Sequence, residues 1–173
     1  MKFISTILIL VCLISCKKYS EVTEQKIESE VVKDTLSLSK KDIAKIKYLD
    51  YGIDAKAKNT LDSWLVYNII SKAVEDLKNA NFDFFIEDEA VFASALEDLD
   101  TTIPENINTA SIRARVLVLK TKLYKLEEAT RLTTTSKKEH LLIVKEVLEA
   151  FSYVTLLVNK KFEKEAQNII KPQ

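Results

Sequence analysis

The stretch TASIRARVLVLKTKLYKLEEATRL, residues 109–132, decides how the rest of this chain is read. Ile112, Val116, Leu119, Leu123 and Leu126 recur at spacings of four and three, an unbroken heptad seam along one side of a helix. Leu117 and Tyr124 broaden the seam into the wider apolar face of a helix packed in a bundle. The pattern predicts a helix from about Thr109 to Leu132.

The same periodicity extends in both directions. Downstream, Ser136–Glu139 (SKKE) reads as a capping box, in which the hydroxyl and the carboxylate each satisfy a first-turn amide. Leu141, Val144, Leu148, Phe151, Val158 and Phe162 follow at heptad-compatible spacing, with Thr155 between them, to an end near Ile169 or Ile170 before Pro172. Upstream, Phe92, Leu96, Leu99 and Ile103 mark a helix from about Phe84 to Leu99. Asp83 is its expected N-cap, and Glu87, Asp88 and Glu89 lie where the dipole favours negative charge. Pro104 stops simple continuation, so residues 100–108 (DTTIPENIN) form a connection. Earlier still, Val66, Ile70, Ala73, Leu77 and Ala80, widened by Trp64, Leu65 and Ile69, predict one helix from Asp54, a candidate cap, to the Asn79-Ala80-Asn81 end.

Four amphipathic helices on short connections predict an all-α fold, an antiparallel up-down four-helix bundle over residues 42–173. An extended coiled coil fits less well, because the stripes are wide and breaks recur. One glycine and two prolines in 173 residues leave too few turn formers for an all-β fold. Residues 42–53 (DIAKIKYLDYGI) fit either a helical turn or an extended arm, with Gly52 marking a break. Residues 16–41 are polar and charged and read as a flexible tether, although Val31-Val32 and the LSLS alternation also fit a short strand or strap. The 26 basic and 26 acidic side chains cancel, so no net field recruits nucleic acid or draws the domain to anionic lipid.

No catalytic constellation appears, and no enzyme is expected. P-loop, GxGxxG, GxSxG and HExxH patterns are all missing from the sequence. His140 is the single histidine and lacks the Glu-x-x-His partners of a di-metal bundle, so it is expected at the surface near a helix start, with no metal and no cofactor. Arg113 and Arg115 flank the Ile112–Val116 seam on opposite sides. They suit either recognition of an anionic group, since arginine grips carboxylate and phosphate bidentately, or ion pairs to Glu97, Asp98 or Asp100. Trp64, Tyr67 and Phe92 fit a ligand pocket or, more simply, plain core. Trp64, Arg113 and Arg115 are therefore the candidate ligand or partner contacts.

The N-terminus adds an address. Met1-Lys2 precedes an apolar run from Phe3 to Ile14, too short to span a bilayer and arranged like a secretory signal. Its end, Leu13-Ile14-Ser15-Cys16, resembles the lipobox of bacterial lipoproteins. That resemblance implies removal of residues 1–15, Cys12 with them, and a lipidated Cys16 carrying a diacylglycerol on sulfur and an acyl chain on its amino group. Several acyl chains together hold a protein durably to a membrane. Among enterobacterial lipoproteins an Asp after the cysteine favours the inner membrane. Lys17 stands there instead, which implies the outer membrane, and with acids only from Glu21 the periplasmic side. The segments YGIDAKAKNTLDSW (51–64) and IPENINTASIRARVLVLKTKLYKL (103–126) resemble small lipoproteins of flavobacteria, a likeness that brings no catalytic residue or ligand. The expectation is a lipid-anchored envelope module that binds a protein partner. The alternative is a small-molecule or lipid-binding bundle with a pocket near Trp64.

Overall fold

The computed structural model describes residues 38–87 and 89–167; the expected signal segment, Cys16, the tether up to residue 37 and the chain end with Ile169 and Pro172 lie outside them. Among the described residues there are seven α-helices and no strand: α1 Lys40–Ile43, α2 Ala55–Ser63, α3 Leu65–Lys78, α4 Asp83–Ile86, α5 Glu89–Thr101, α6 Ala110–Arg131 and α7 Lys137–Ala166. A turn of 3-10 helix, Glu105–Ile107, sits in the connection that Pro104 forces between α5 and α6.

The heptad stretch of residues 109–132 folds as α6. Thr109 is its N-cap, accepting from the Ile112 amide at 3.3 Å, and the five seam residues are fully buried. Leu117 and Tyr124, expected to broaden the buried face, are instead exposed on the outer side. The 30 residues of α7 make a rod of about 45 Å. Ser136 caps it, its Oγ accepting from the Glu139 amide.

Ion pairs give the helix directions. Lys122 and Lys125 both reach Glu146, at 3.2 and 2.9 Å, while Ala129, later in α6, meets His140, earlier in α7; the two helices are antiparallel. Lys120 pairs with Asp100 at 2.6 Å and Arg131 with Glu89 at 3.3 Å, so α5 is antiparallel to α6. Helix α3 touches both α5 and α7 and closes the ring around the core of Ile70, Leu77, Leu96, Leu99, Leu119, Leu123, Val144 and Leu148.

Two helices differ from expectation. The helix predicted from Asp54 to Ala80 breaks at Trp64, whose ψ of 88° is not helical. On an unbroken helix the buried stripe of α2 (Ala57, Leu61, Trp64) and that of α3 (Val66, Tyr67, Ile70, Ala73, Val74, Leu77) would point roughly 150° apart at about 100° per residue. The break lets both face the core. The carbonyls it frees are satisfied locally: Trp64 N donates to Leu61 O, Ser63 Oγ to Thr60 O, and Asn68 Nδ2 to Asp62 O. Asp54 caps α2 as expected, accepting from the Lys56 amide at 3.0 Å. Helix α3 ends in a Schellman turn, with the Asn81 amide on Asp76 O and the Ala80 amide on Leu77 O. Ala80 takes the left-handed position there, φ 63°.

The helix expected from Phe84 to Leu99 is in two pieces, α4 and α5. The offset lets adjacent Phe84 and Phe85 both reach Phe92, at centroid distances of 5.6 and 5.8 Å, which one continuous helix would not allow. Asp83 is inside α4 rather than its cap, and its amide donates to Asn81 Oδ1 at 2.8 Å.

The ambiguous segment, residues 42–53, holds both of its alternatives, the end of a helical turn that starts at Lys40 and then an arm. Leu38 is buried, so the core begins inside the stretch read as tether. Ser39 and Asp42 form a reciprocal capping box on α1. Beyond α1 an extended arm, residues 47–53, runs along α7 in the same direction, from Asp42 beside Lys137 to Asp54 beside Asn159.

Candidate functional site

The three residues that sequence singled out as contacts are not brought together. Trp64 is 1% exposed. Its indole N–H donates to Thr102 Oγ1 at 3.2 Å, and its ring stacks on Tyr67 at 5.5 Å. Tyr67 stacks in turn on Phe151 at 5.2 Å, and its hydroxyl meets Thr155 Oγ1 at 2.9 Å. Burial raises the Tyr67 phenol above its ordinary pKa. A tryptophan whose faces and N–H are all engaged is core, not a pocket wall. Phe92 is equally committed, wedged among Phe84, Phe85 and Tyr124.

Arg113 and Arg115 leave α6 in different directions, as their two-residue spacing requires. Arg113 donates from Nη1 to Asn108 Oδ1 at 3.1 Å. Arg115 lies over the ring of Tyr153 on α7, 5.6 Å from its centroid. The expected ion pairs to Glu97, Asp98 or Asp100 are not found among the described residues. Asp100 belongs to Lys120, whose hydrogen bond holds that carboxyl below the usual range. Arg113, Leu117 and Tyr124, at spacings of four and seven, share one outward stripe of α6, and all three are exposed.

His140 overturns a second expectation. Rather than lying at the surface it is 1% exposed, packed against the end of α6. Ala129 O can only accept, so the 2.8 Å contact is a donation from Nε2, which covers one of the carbonyls left over where α6 ends. Nδ1 has no hydrogen-bond partner. The histidine is a tertiary cap, a role no local pattern in the sequence announces. Among the described residues no group of His, Cys, Asp or Glu side chains could hold a metal ion.

What sequence reasoning missed is the seam between arm and α7. Side chains of the helix, not a β-ladder, hold the arm. Ser152 Oγ donates to Leu49 O at 2.6 Å and accepts from the Tyr51 amide at 2.8 Å. Asn159 donates to Gly52 O and accepts from the Asp54 amide. Asp50 takes hydrogen bonds from Tyr48 and Lys78, at 3.0 and 2.9 Å. Burial works against the charge of Lys78, but the bond to Asp50 and the nearby charges outweigh it and push that lysine's pKa up. On one side of the arm lies an open groove of about 490 Å³, walled mainly by Ile46, Leu141 and Leu142 and edged by Lys138 and Lys145. A second hollow of about 340 Å³ is lined by Lys47, Tyr48, Leu49, Glu149 and Tyr153.

Among the described residues no helix is long and apolar enough to cross a membrane. No known family profile, curated protein or solved structure matches the chain.

Proposed function

We propose that this chain is a lipid-anchored module of the cell envelope that works by binding a protein partner. In this reading residues 1–15 are a signal peptide, Cys16 is the acylated N-terminus on the periplasmic side of the outer membrane, and the helices form an up-down four-helix bundle joined to the anchor by the tether. The observation that supports a partner over a small ligand is the state of Trp64: the residue that would mark an interhelical pocket is packed, stacked and hydrogen-bonded in the core. Apolar surface lies outside instead. Leu117 and Tyr124 are large, exposed and aligned with Arg113 on α6, the composition that protein interfaces favour. A pocket-type site would need a concave, mostly enclosed space with convergent polar groups.

Two measurements test this. Intact-mass analysis of the protein from its native membrane should show Cys16 as the first residue, bearing a diacylglycerol and an acyl chain; an unmodified residue 16 ends the anchoring reading. A photo-cross-linker placed at Leu117 of the acylated protein should capture one protein in near-stoichiometric yield. Capture of nothing, with a metabolite co-purifying, would transfer the weight to a ligand-binding bundle.

A further inference from the structure

Zero net charge hides a segregated surface. Four lysines, Lys40, Lys41, Lys45 and Lys47, fall within residues 40–47 together with a single acid, Asp42, and that acid is already taken by Lys137 at 2.8 Å. The fold lays this segment beside the first half of α7, where Lys138 and Lys145 edge the open groove. The acids on this face are Glu139 and Glu149, the latter only loosely paired with Lys145 at 3.6 Å. Between the lysines stand apolar side chains, two of them largely exposed and two partly buried against the core. Leu49 is 67% and Leu142 55% exposed, and Ile46 and Leu141 floor the groove.

We infer that this face, made by residues 40–49 and by α7 from Lys138 to Lys145, is a docking surface for an anionic phospholipid membrane. Three observations favour a lipid surface over an acidic protein. The charges of residues 40–47 and those edging the groove are lysines, mobile points on long stems suited to a diffuse layer of phosphates rather than to bidentate grip on one group. The groove is open, with Leu142 exposed at its wall and Leu49 exposed beside the second hollow, so apolar groups are offered to a headgroup layer and do not line an enclosed socket. Finally, buried Leu38 lies one residue before the Ser39–Asp42 capping box, and Asp42 pairs with Lys137 at the head of α7, so the chain joins the core at this same corner. The inference takes the presence of a membrane from the anchored reading, but its chemistry is independent of acylation. A lysine near an anionic bilayer contributes about fivefold in affinity, a gain screened by salt.

The test uses the mature-length chain, residues 16–173, carrying Cys16→Ser, so that no acyl chain contributes. It should co-sediment with vesicles of phosphatidylglycerol and phosphatidylcholine in equal parts, and not with phosphatidylcholine alone. Binding should fall about 25-fold in Lys138→Gln/Lys145→Gln, by the same per-lysine factor, and disappear in half-molar salt. Leu142→Gln should weaken it further with circular dichroism unchanged. Failure to bind anionic vesicles, equal binding to neutral ones, or full binding by the lysine variant would overturn the inference and leave the acylation of Cys16 untouched. Binding to polyglutamate but not to vesicles would overturn it in favour of an acidic protein partner.

Discussion

Replacing Trp64 with alanine removes the largest side chain of the core from a site that is almost wholly closed. A buried tryptophan hides about 150–250 Å², and at about 25 cal/mol per Å² its burial stabilises the fold by roughly 4–6 kcal/mol. Alanine keeps a small part of that, and the void relaxes incompletely, so the expected cost is about 3–5 kcal/mol. The hydrogen bond to Thr102 changes this little, because Thr102 Oγ1 also donates to Asp98 O at 2.7 Å and is not left orphaned. Trp64→Phe retains the stack on Tyr67 and should cost about 1–2 kcal/mol, the usual range for a volume-reducing aromatic change. Urea denaturation followed by circular dichroism measures both. Because Trp64 is the only tryptophan, wild-type fluorescence gives a second reading of the same transition. Its emission should be blue-shifted and shielded from acrylamide. A cost below about 1.5 kcal/mol for Trp64→Ala, or free quenching of the native indole, would refute the packing argument and restore Trp64 as a pocket wall.

Ala80→Gly should stabilise the protein by about 0.5–1 kcal/mol, since Ala80 holds the left-handed position of the α3 Schellman turn; urea midpoints check it, and Ala80→Val should move the other way. Ser152→Ala removes both hydrogen bonds from one helix side chain to the arm, at a cost of about 1–3 kcal/mol, and hydrogen exchange at the Tyr51 amide should accelerate while core amides stay protected. Asp42 is held well below the usual carboxylate range by the hydrogen bond from Lys137, then by the hydroxyl and amide of Ser39. A depressed folded-state pKa means that the stabilisation is complete above about pH 4 and fades as the pH falls further. Chemical shifts of the α1 amides should follow that fall at low salt, and Asp42→Asn should flatten the profile.

The helices that proved legible are those whose own periodicity and caps agree. Thr109 and the Ile112–Leu126 seam needed no tertiary information, nor did Ser136 at the start of α7. The break at Trp64 was legible in principle. Ala57 and Leu61 are out of phase with Val66, Ile70 and Leu77, and Ser63 and Asn68 are polar side chains placed to take the freed carbonyls. Trp64 hides the shift because it ends the α2 stripe only two residues before Val66 starts that of α3. His140 could not be placed from sequence, because its partner, Ala129 O, lies eleven residues back across a hairpin. The arginine pairs failed for a related reason. The antiparallel register of α5 and α6 sets Asp100 against Lys120, five and seven residues beyond the arginines. Leu117 and Tyr124 show the limit of periodicity: it finds an apolar face but not how much of that face the neighbours cover.

The arm follows a different logic from the core, and that bears on both functional readings. Its backbone is held by the side chains of Ser152 and Asn159 and by the Asp50–Lys78 pair, most of it at or near the surface. Each such bond contributes about 0.5–1.5 kcal/mol net, against the several kcal/mol of a buried aromatic. The arm should therefore open long before the ring of α3, α5, α6 and α7 loosens, and opening would carry Lys47 and Leu49 away from Lys138 and Leu142. The basic, apolar face is thus complete only when the arm is seated. Lys47 and Leu49 bound to a headgroup layer would stabilise the seated form by linkage, while the outward stripe of α6, carried on the rigid ring, would keep its shape in either state.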